Sequence, residues 1–346
     1  MNQVRWLPFA AAALLLAGCG PSAENKNGDA PGAKGKFAAG VVTDAGGIDD
    51  QSFNASAWAG LKKAIDEGAV EGRYIESKEQ SDYQTNLSSL AEQGYKLVFA
   101  VGYLMEDALK EVAARHPDTK FAIIDGSAPD LPNCVAVKFR EEEGTFLAGF
   151  LAARMSKTGA VSFVGGMESP LMKRFEVGFR AGAETGKPGT RVLVKYIGSL
   201  VDVARGKELA LAAIKDGADV LMHAAGKGGL GVLDAAAEKG LYGIGVDADQ
   251  DGLHEGRILT SVMKRVDVAV YEATVNAANG DWKAGERVLG LKENGLSLSP
   301  MKFTKSAVPA ATLAAIDDLS ARIAAGELKV PNTEEGMKGF TAPAVK

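Results

Sequence analysis

The chain has 346 residues, 46% of them hydrophobic and 24% charged, and a formal net charge of −5. That acidic balance, with no basic stripe, argues against a nucleic-acid partner, and two cysteines cannot make a disulfide framework. The length suits two lobes better than one hydrophobic core.

Arg5 and the apolar run Leu7–Ala17 precede Leu16-Ala17-Gly18-Cys19, which has the form of a lipoprotein signal-peptidase site. The run is short of the ~20 residues a membrane span needs. Residues 1–18 therefore read as a leader and Cys19 as the acylated first residue of the mature chain, with a plain secretory signal as the alternative. Gly20 is not Asp, so either membrane of a diderm bacterium stays open. Residues 19–36, rich in Gly, Ala, Pro, Asn and Lys, read as a flexible tether. With Cys19 lipidated, Cys134 has no partner and reads as a small core residue.

From Phe37 strand-like runs alternate with helical patterns. The runs Phe37–Thr43, Arg73–Ser77, Leu97–Val101, Phe121–Asp125 and Val135–Phe139 are separated by Ala55–Gly68, Tyr83–Gly94 and Met105–His116. In the first helical pattern Ala57, Leu61, Ala64 and Ile65 fall on one face. After Arg140 the pattern restarts, with strands Ala160–Gly165, Arg191–Ile197, Val220–Ala224, Tyr242–Val246 and Ile258–Val262. Alternation of this kind predicts parallel sheets flanked by helices. Two such halves without a low-complexity linker predict an α/β, bilobed type I periplasmic-binding-protein fold, two doubly wound lobes joined by a hinge. In that fold the chain crosses between lobes three times, here near Arg140, Arg257 and Pro300. Residues 37–140 and 258–300 then form the N-terminal lobe, and 141–257 and 301–346 the C-terminal lobe.

Val41–Asn54, VVTDAGGIDDQSFN, has the layout of strand, glycine turn and helix start that α/β proteins use to hold ligands. Phe53 supplies a flat apolar face, and Asp44 and Asn54 supply acceptors and a donor, which suits a neutral aromatic ligand. A βα turn with solvated aspartates is the plainer alternative. Three strands run into an aspartate, at Asp44, Asp125 and Asp247. Each would stand at the carboxyl end of a parallel strand, as a ligand contact or as a mere turn or cap. Lys264 follows another strand, where a cation would offset those carboxylates and donate to a hydroxyl; a surface lysine is the alternative. Ala224–Gly229, AAGKGG, is glycine-rich but not a Walker motif. His116, His223 and His254 are scattered, and no zinc spacing occurs. His223 either borders the crevice or is a satisfied structural histidine. No nucleophile–base pair, metal site or cofactor motif is visible, so the reading is of binding without chemistry.

The motifs TDAGGIDDQSFN, IGVDADQ at Ile244–Gln250, TSVMKRVDVAVY at Thr260–Tyr271 and, more loosely, ADVLMHAAGKGG at Ala218–Gly229 resemble the basic membrane protein family, the purine nucleoside receptor-like lipoproteins. The similarity runs from Phe37 to about Pro331. It implies a substrate-binding component of an ABC importer, with permease and ATPase as partners, a purine nucleoside as ligand and a lipid anchor at a bacterial membrane, facing the periplasm or cell exterior. It also implies that Asp44 and Asn54 read the base and Phe53 stacks on it, while Asp125, Gly226, Asp247 and Lys264 serve the remaining polar groups. The family usually carries an aromatic residue before the histidine of the glycine-loop strand, where this chain has Met222. On that alignment Met222 faces Phe53 across the base. Two rivals remain: another neutral ligand such as a sugar, and a nucleoside hydrolase, whose DTDxGxDD calcium site TDAGGIDD partly resembles. Val42 stands where that motif needs a carboxylate, which should spoil the oxygen cage.

Overall fold

The computed structural model of the chain describes Met1 and residues 36–345. The expected leader, Cys19 and nearly all of the tether lie outside the described residues. Two six-stranded sheets carry the fold. The first is ordered β2 (Glu71–Glu76), β1 (Ala38–Thr43), β3 (Leu97–Val101), β4 (Lys120–Ile124), β5 (Cys134–Phe139) and β11 (Gly285–Leu289), all paired in parallel. The second repeats that order with β7 (Arg191–Tyr196), β6 (Ala160–Gly165), β8 (Val220–Ala224), β9 (Tyr242–Asp247), β10 (Ile258–Lys264) and the antiparallel edge β12 (Leu296–Leu298). The central strands β1, β3, β6 and β8 are buried along their whole length, as parallel strands covered by helices on both faces must be.

Helix α1 (Phe53–Asp66) buries Ala57, Leu61 and Ala64 against the first sheet. The Asp50 carboxylate starts it, accepting from the backbone N–H groups of Ser52, Asn54 and Ala55 at 2.8–3.0 Å. Such a cap satisfies donors that a helix start otherwise leaves open. In the second lobe α4 (Glu141–Met155) and α5 (Pro170–Gly186) lie backbone against backbone: a Cβ at Gly182 would sit 1.9 Å from the Phe146 carbonyl. Cys134 is a buried free thiol, and burial pushes its pKa up to about 11.

The lobe boundaries differ from expectation. The expected strand Ile258–Val262 was placed at the start of the return into the first lobe, yet β10 pairs with β9 in the second sheet. The chain crosses after Lys264, because α8 (Val266–Ala278) packs on α1 and β11 joins the first sheet. It returns between Leu289 and Leu296, before Pro300. Parallel neighbours normally need a helical crossover, and none separates β9 from β10, so the pattern of elements gave no sign that these strands are partners. β11 and β12 are short edge strands with weak apolar alternation, too faint a pattern to single them out in the sequence.

Candidate functional site

The carboxyl ends of the two sheets face one another across a crevice with about 600 Å³ of open space, lined from both lobes. Asp44, Phe53, Asn54, Gly102, Tyr103 and Asp125 line it from the first lobe. Met172, Phe175, Ala224, Gly226, Asp247 and Lys264 line it from the second. The sequence-predicted residues Asp44, Phe53, Asn54, Asp125, Gly226, Asp247 and Lys264 are thus brought together.

The lobes are built as repeats, and the repeat explains the geometry. Asp125 directly follows β4 and Asp247 ends β9, corresponding strands of the two sheets, and both take φ 65°. Aspartate tolerates this left-handed conformation better than most residues. Gly102 after β3 and Gly226 after β8 likewise share positive φ, 113° and 53°. A Cβ at Gly102 would come within 3.7 Å of the Phe53 ring and 3.9 Å of Asp44 Oδ2, and its φ disfavours any side chain.

At one end of the crevice Asp44 Oδ1 accepts from the Gly46 N–H at 2.8 Å and from Asn54 Nδ2 at 2.7 Å. Asp44 is acceptor-only, so the Asn54 amide must turn its nitrogen toward it. Asn54 Oδ1 is left buried without a hydrogen bond. One of the two Asn54 amide N–H groups is therefore spent on Asp44, and this end presents the buried Asn54 Oδ1 and the Asp44 carboxylate beside the Phe53 ring. Burial raises the Asp44 pKa, against the two hydrogen bonds.

At the other end Lys264, 1% exposed, sits among carboxylates. Its Nζ donates to Asp125 Oδ2, lies 3.0 Å from Glu141 Oε1, and stands 5.0–5.3 Å from the ring centroids of Phe53, Phe139 and Phe175. Burial pushes Glu141 up to about 7, with Lys264 opposing, and Asp247 up to about 6, with Lys264 and the Ser52 hydroxyl opposing. Asp125 is raised by burial against the same lysine. Asp125 Oδ1 and Glu141 Oε2 have no hydrogen-bond partner. Buried polar atoms are rarely left so; of the two residues Asp125 lines the crevice, where its carboxylate can accept from a hydroxyl group.

Met222 is not in the crevice. It is fully buried in the core that the second sheet shares with its helices, and Ala224, two residues on, reaches the crevice instead. Strand side chains alternate, and Met222 lies two residues inside the strand's end, too deep to meet a ligand. The second ring comes from Phe175 on the first turns of α5, beside Leu171 and Met172. Its aromatic character stood in the sequence, but only the tertiary placement of α5 aims it here. Glu141, at the start of α4, is a further buried carboxylate beside Lys264 that the sequence alone did not single out. His223 is a structural histidine: its Nε2 bonds Gln250 Oε1 at 2.9 Å, and burial lowers its pKa to about 4. Among the described residues no cluster could hold a metal ion, and no helix is long and apolar enough to cross a membrane.

Comparison with known proteins places this geometry. Residues 37–334 match the family model described as ABC transporter substrate-binding protein PnrA-like. The CD4+ T-cell-stimulating antigen of Listeria monocytogenes is 33% identical, over 93% of this chain and 95% of its own. The ABC transporter nucleoside-binding protein BmpA of Lactococcus lactis is 35% identical, over 90% and 95%. Among solved structures, an ABC transporter solute-binding protein from Aeropyrum pernix superposes with TM-score 0.81 at 27% identity, covering 88% of this chain and 96% of that one.

Proposed function

This chain belongs to the PnrA-like family of ABC transporter substrate-binding proteins, and we propose that within it the crevice captures purine nucleosides, guanosine foremost. The observation that carries this reading is the pair of acceptors beside the Phe53 ring: Asn54 Oδ1, buried without a hydrogen-bond partner among the described residues, and the Asp44 carboxylate, which takes Gly46 and Asn54 on Oδ1. Guanine offers N1–H and an exocyclic amine on one edge, so both acceptors gain donors. Hypoxanthine offers N1–H alone, and adenine puts an acceptor at N1. The carboxylates around Lys264 suit ribose hydroxyls, which both donate and accept. The nucleoside-binding name of the Lactococcus relative supports the ligand class. Family membership makes the activity binding and not turnover. The reading implies an ABC permease and ATPase as partners, and a lipid anchor at Cys19 holding the lobes at the membrane.

Calorimetry of unfolded and refolded protein, freed of carried-over ligand, tests it. Guanosine is expected to bind about tenfold tighter than inosine, since an unsatisfied buried acceptor costs about 1–3 kcal/mol. Guanosine monophosphate is expected at least tenfold weaker, because its phosphate meets an acidic crevice. Equal affinity for guanosine and its monophosphate sinks the electrostatic argument, and a free sugar binding as tightly as guanosine sinks the base.

Phe175 and Met222 are separable by the same measurement. Base–aromatic stacking contributes roughly 1–3 kcal/mol by alanine substitution, so Phe175→Ala should weaken guanosine binding by about tenfold. Met222→Ala should instead lower folding stability by about 2–5 kcal/mol and leave the order of ligand preference intact. The reverse pattern would return Met222 to the site.

A further inference from the structure

Several residues of the two most specific motifs play no part in the ligand reading: Gln51 and Ser52 in the first, Gln250 in the second. Gln250, 1% exposed, is a hub. Its Oε1 accepts from the Val246 N–H at 3.0 Å and bonds His223 Nε2 at 2.9 Å. Its own N–H donates to Ser261 Oγ at 3.0 Å. A backbone N–H can only donate, so the amide oxygen must face Val246 and the amide nitrogen must point the other way. That also fixes His223 as the tautomer protonated at Nε2. The nitrogen so directed donates to the Gln51 carbonyl, in the opposite lobe, at 3.0 Å. Gln51 holds φ 53°, a costly conformation for a non-glycine residue, which turns its carbonyl to this partner. One residue on, Ser52 Oγ donates across the same gap to Asp247 Oδ2 at 2.5 Å.

We infer that Gln250 and Ser52 are positioning residues that latch the lobes shut and hold the Asp247 carboxylate for the ligand. The inference rests on the capture reading above. These two bonds, like that of Lys264 to Asp125, join protein groups across the lobes, so they favour the closed state with or without ligand, and a bound ligand then has less closure left to drive. Ser52 takes one Asp247 oxygen and leaves the other for a ligand hydroxyl. The latch acts on release more than on capture, since its bonds exist only once the lobes have met.

Gln250→Glu at pH 8 is the selective test. An ionised carboxylate still accepts from Val246 and His223 but cannot donate to the Gln51 carbonyl. Stopped-flow displacement of inosine should show release about tenfold faster, with association changed less than threefold, as expected for one lost hydrogen bond and a new repulsion. Unliganded small-angle scattering should show a larger radius of gyration for the variant than for the unsubstituted protein. Ser52→Ala removes the second bond and leaves the Gln250 hub untouched, so it carries the test if Gln250→Glu folds poorly, and it should shift both readouts the same way. Unchanged release together with superimposable unliganded scattering curves for Ser52→Ala overturns the latch. Failure of the unsubstituted protein to bind either inosine or guanosine would instead overturn the nucleoside reading, and the unliganded scattering still decides the latch.

Discussion

Lys264→Met is expected to abolish measurable guanosine binding and to lower folding stability by about 3–5 kcal/mol, the range for removing one partner of a buried ion pair. Burial alone would lower the pKa of this lysine, yet Asp125, Glu141 and Asp247 outweigh it and hold the ammonium charged. Without it, the Asp125 and Glu141 side chains, 6% and 1% exposed, have among the described residues no cation in direct contact apart from Arg174, 3.7 Å from Glu141. A buried carboxylate in that position neutralises itself by taking a proton. The neutral acid then donates where the ribose needs an acceptor. Methionine keeps the length and apolar stem, so the neighbouring rings of Phe53, Phe139 and Phe175 should stay packed. Denaturant unfolding at pH 7.5 gives the stability, and calorimetry the affinity. Guanosine binding within threefold of the unsubstituted protein would show that Lys264 is structural alone. The stability loss should shrink at pH 5, where the stranded carboxylates are protonated at less cost.

The alternation of strands and helices was legible because central parallel strands are continuous apolar runs, and each lobe repeats one order. Asp44, Asp125 and Asp247 were legible because a carboxylate at the carboxyl end of a parallel strand has few structural reasons to recur. What was lost depends on pairing and direction. Ile258–Lys264 announces itself as a strand, but nothing in its own residues says that β9 is its neighbour. Phe175 and Glu141 lie on helices whose tilt toward the crevice is set by the close backbone packing of α4 on α5. Gly182 shows that packing only once the Phe146 carbonyl is seen against it. Met222 failed for the opposite reason. Its place opposite Phe53 came from a family resemblance, while its depth in β8, two residues short of Ala224 on the same face, keeps it in the core. Asn54 spends one amide N–H on Asp44 at 2.7 Å, a partner whose place ten residues earlier conceals it in the sequence.

The cluster around Lys264 also predicts that stability and affinity move in opposite directions with pH. Burial raises Asp247 from 3.8 to about 6 and Glu141 from 4.5 to about 7. A carboxylate raised by folding keeps its proton in the native state after the unfolded chain has released its own. Between about pH 4 and pH 7 the native state thus binds more protons, and unfolding free energy falls as pH rises. A tenfold difference in proton affinity between the folded and unfolded chain is worth about 1.4 kcal/mol, so the two groups together should cost the unliganded protein a few kcal/mol between pH 5 and pH 7.5. Ribose hydroxyls donate to carboxylates and favour the ionised form. Binding at pH 5 must therefore expel protons, and guanosine affinity should rise by up to about tenfold per proton released per pH unit until the carboxylates are ionised. Other buried carboxylates contribute with the same sign, Asp44 and Asp50 among them, and Glu176 with the opposite one. The difference between the unsubstituted protein and Asp247→Asn isolates one group. That variant should be the more stable of the two at pH 7.5, should show a shallower loss of stability with pH, and should bind guanosine weakly with little pH dependence. Calorimetry in two buffers of different ionisation enthalpy counts the protons directly. A guanosine affinity that is flat between pH 5 and pH 7.5, or a stability difference from Asp247→Asn that does not change over that window, would mean that the Asp247 carboxylate is already ionised at pH 5 and that Lys264 fully offsets its burial; an affinity that falls would mean that binding takes up protons.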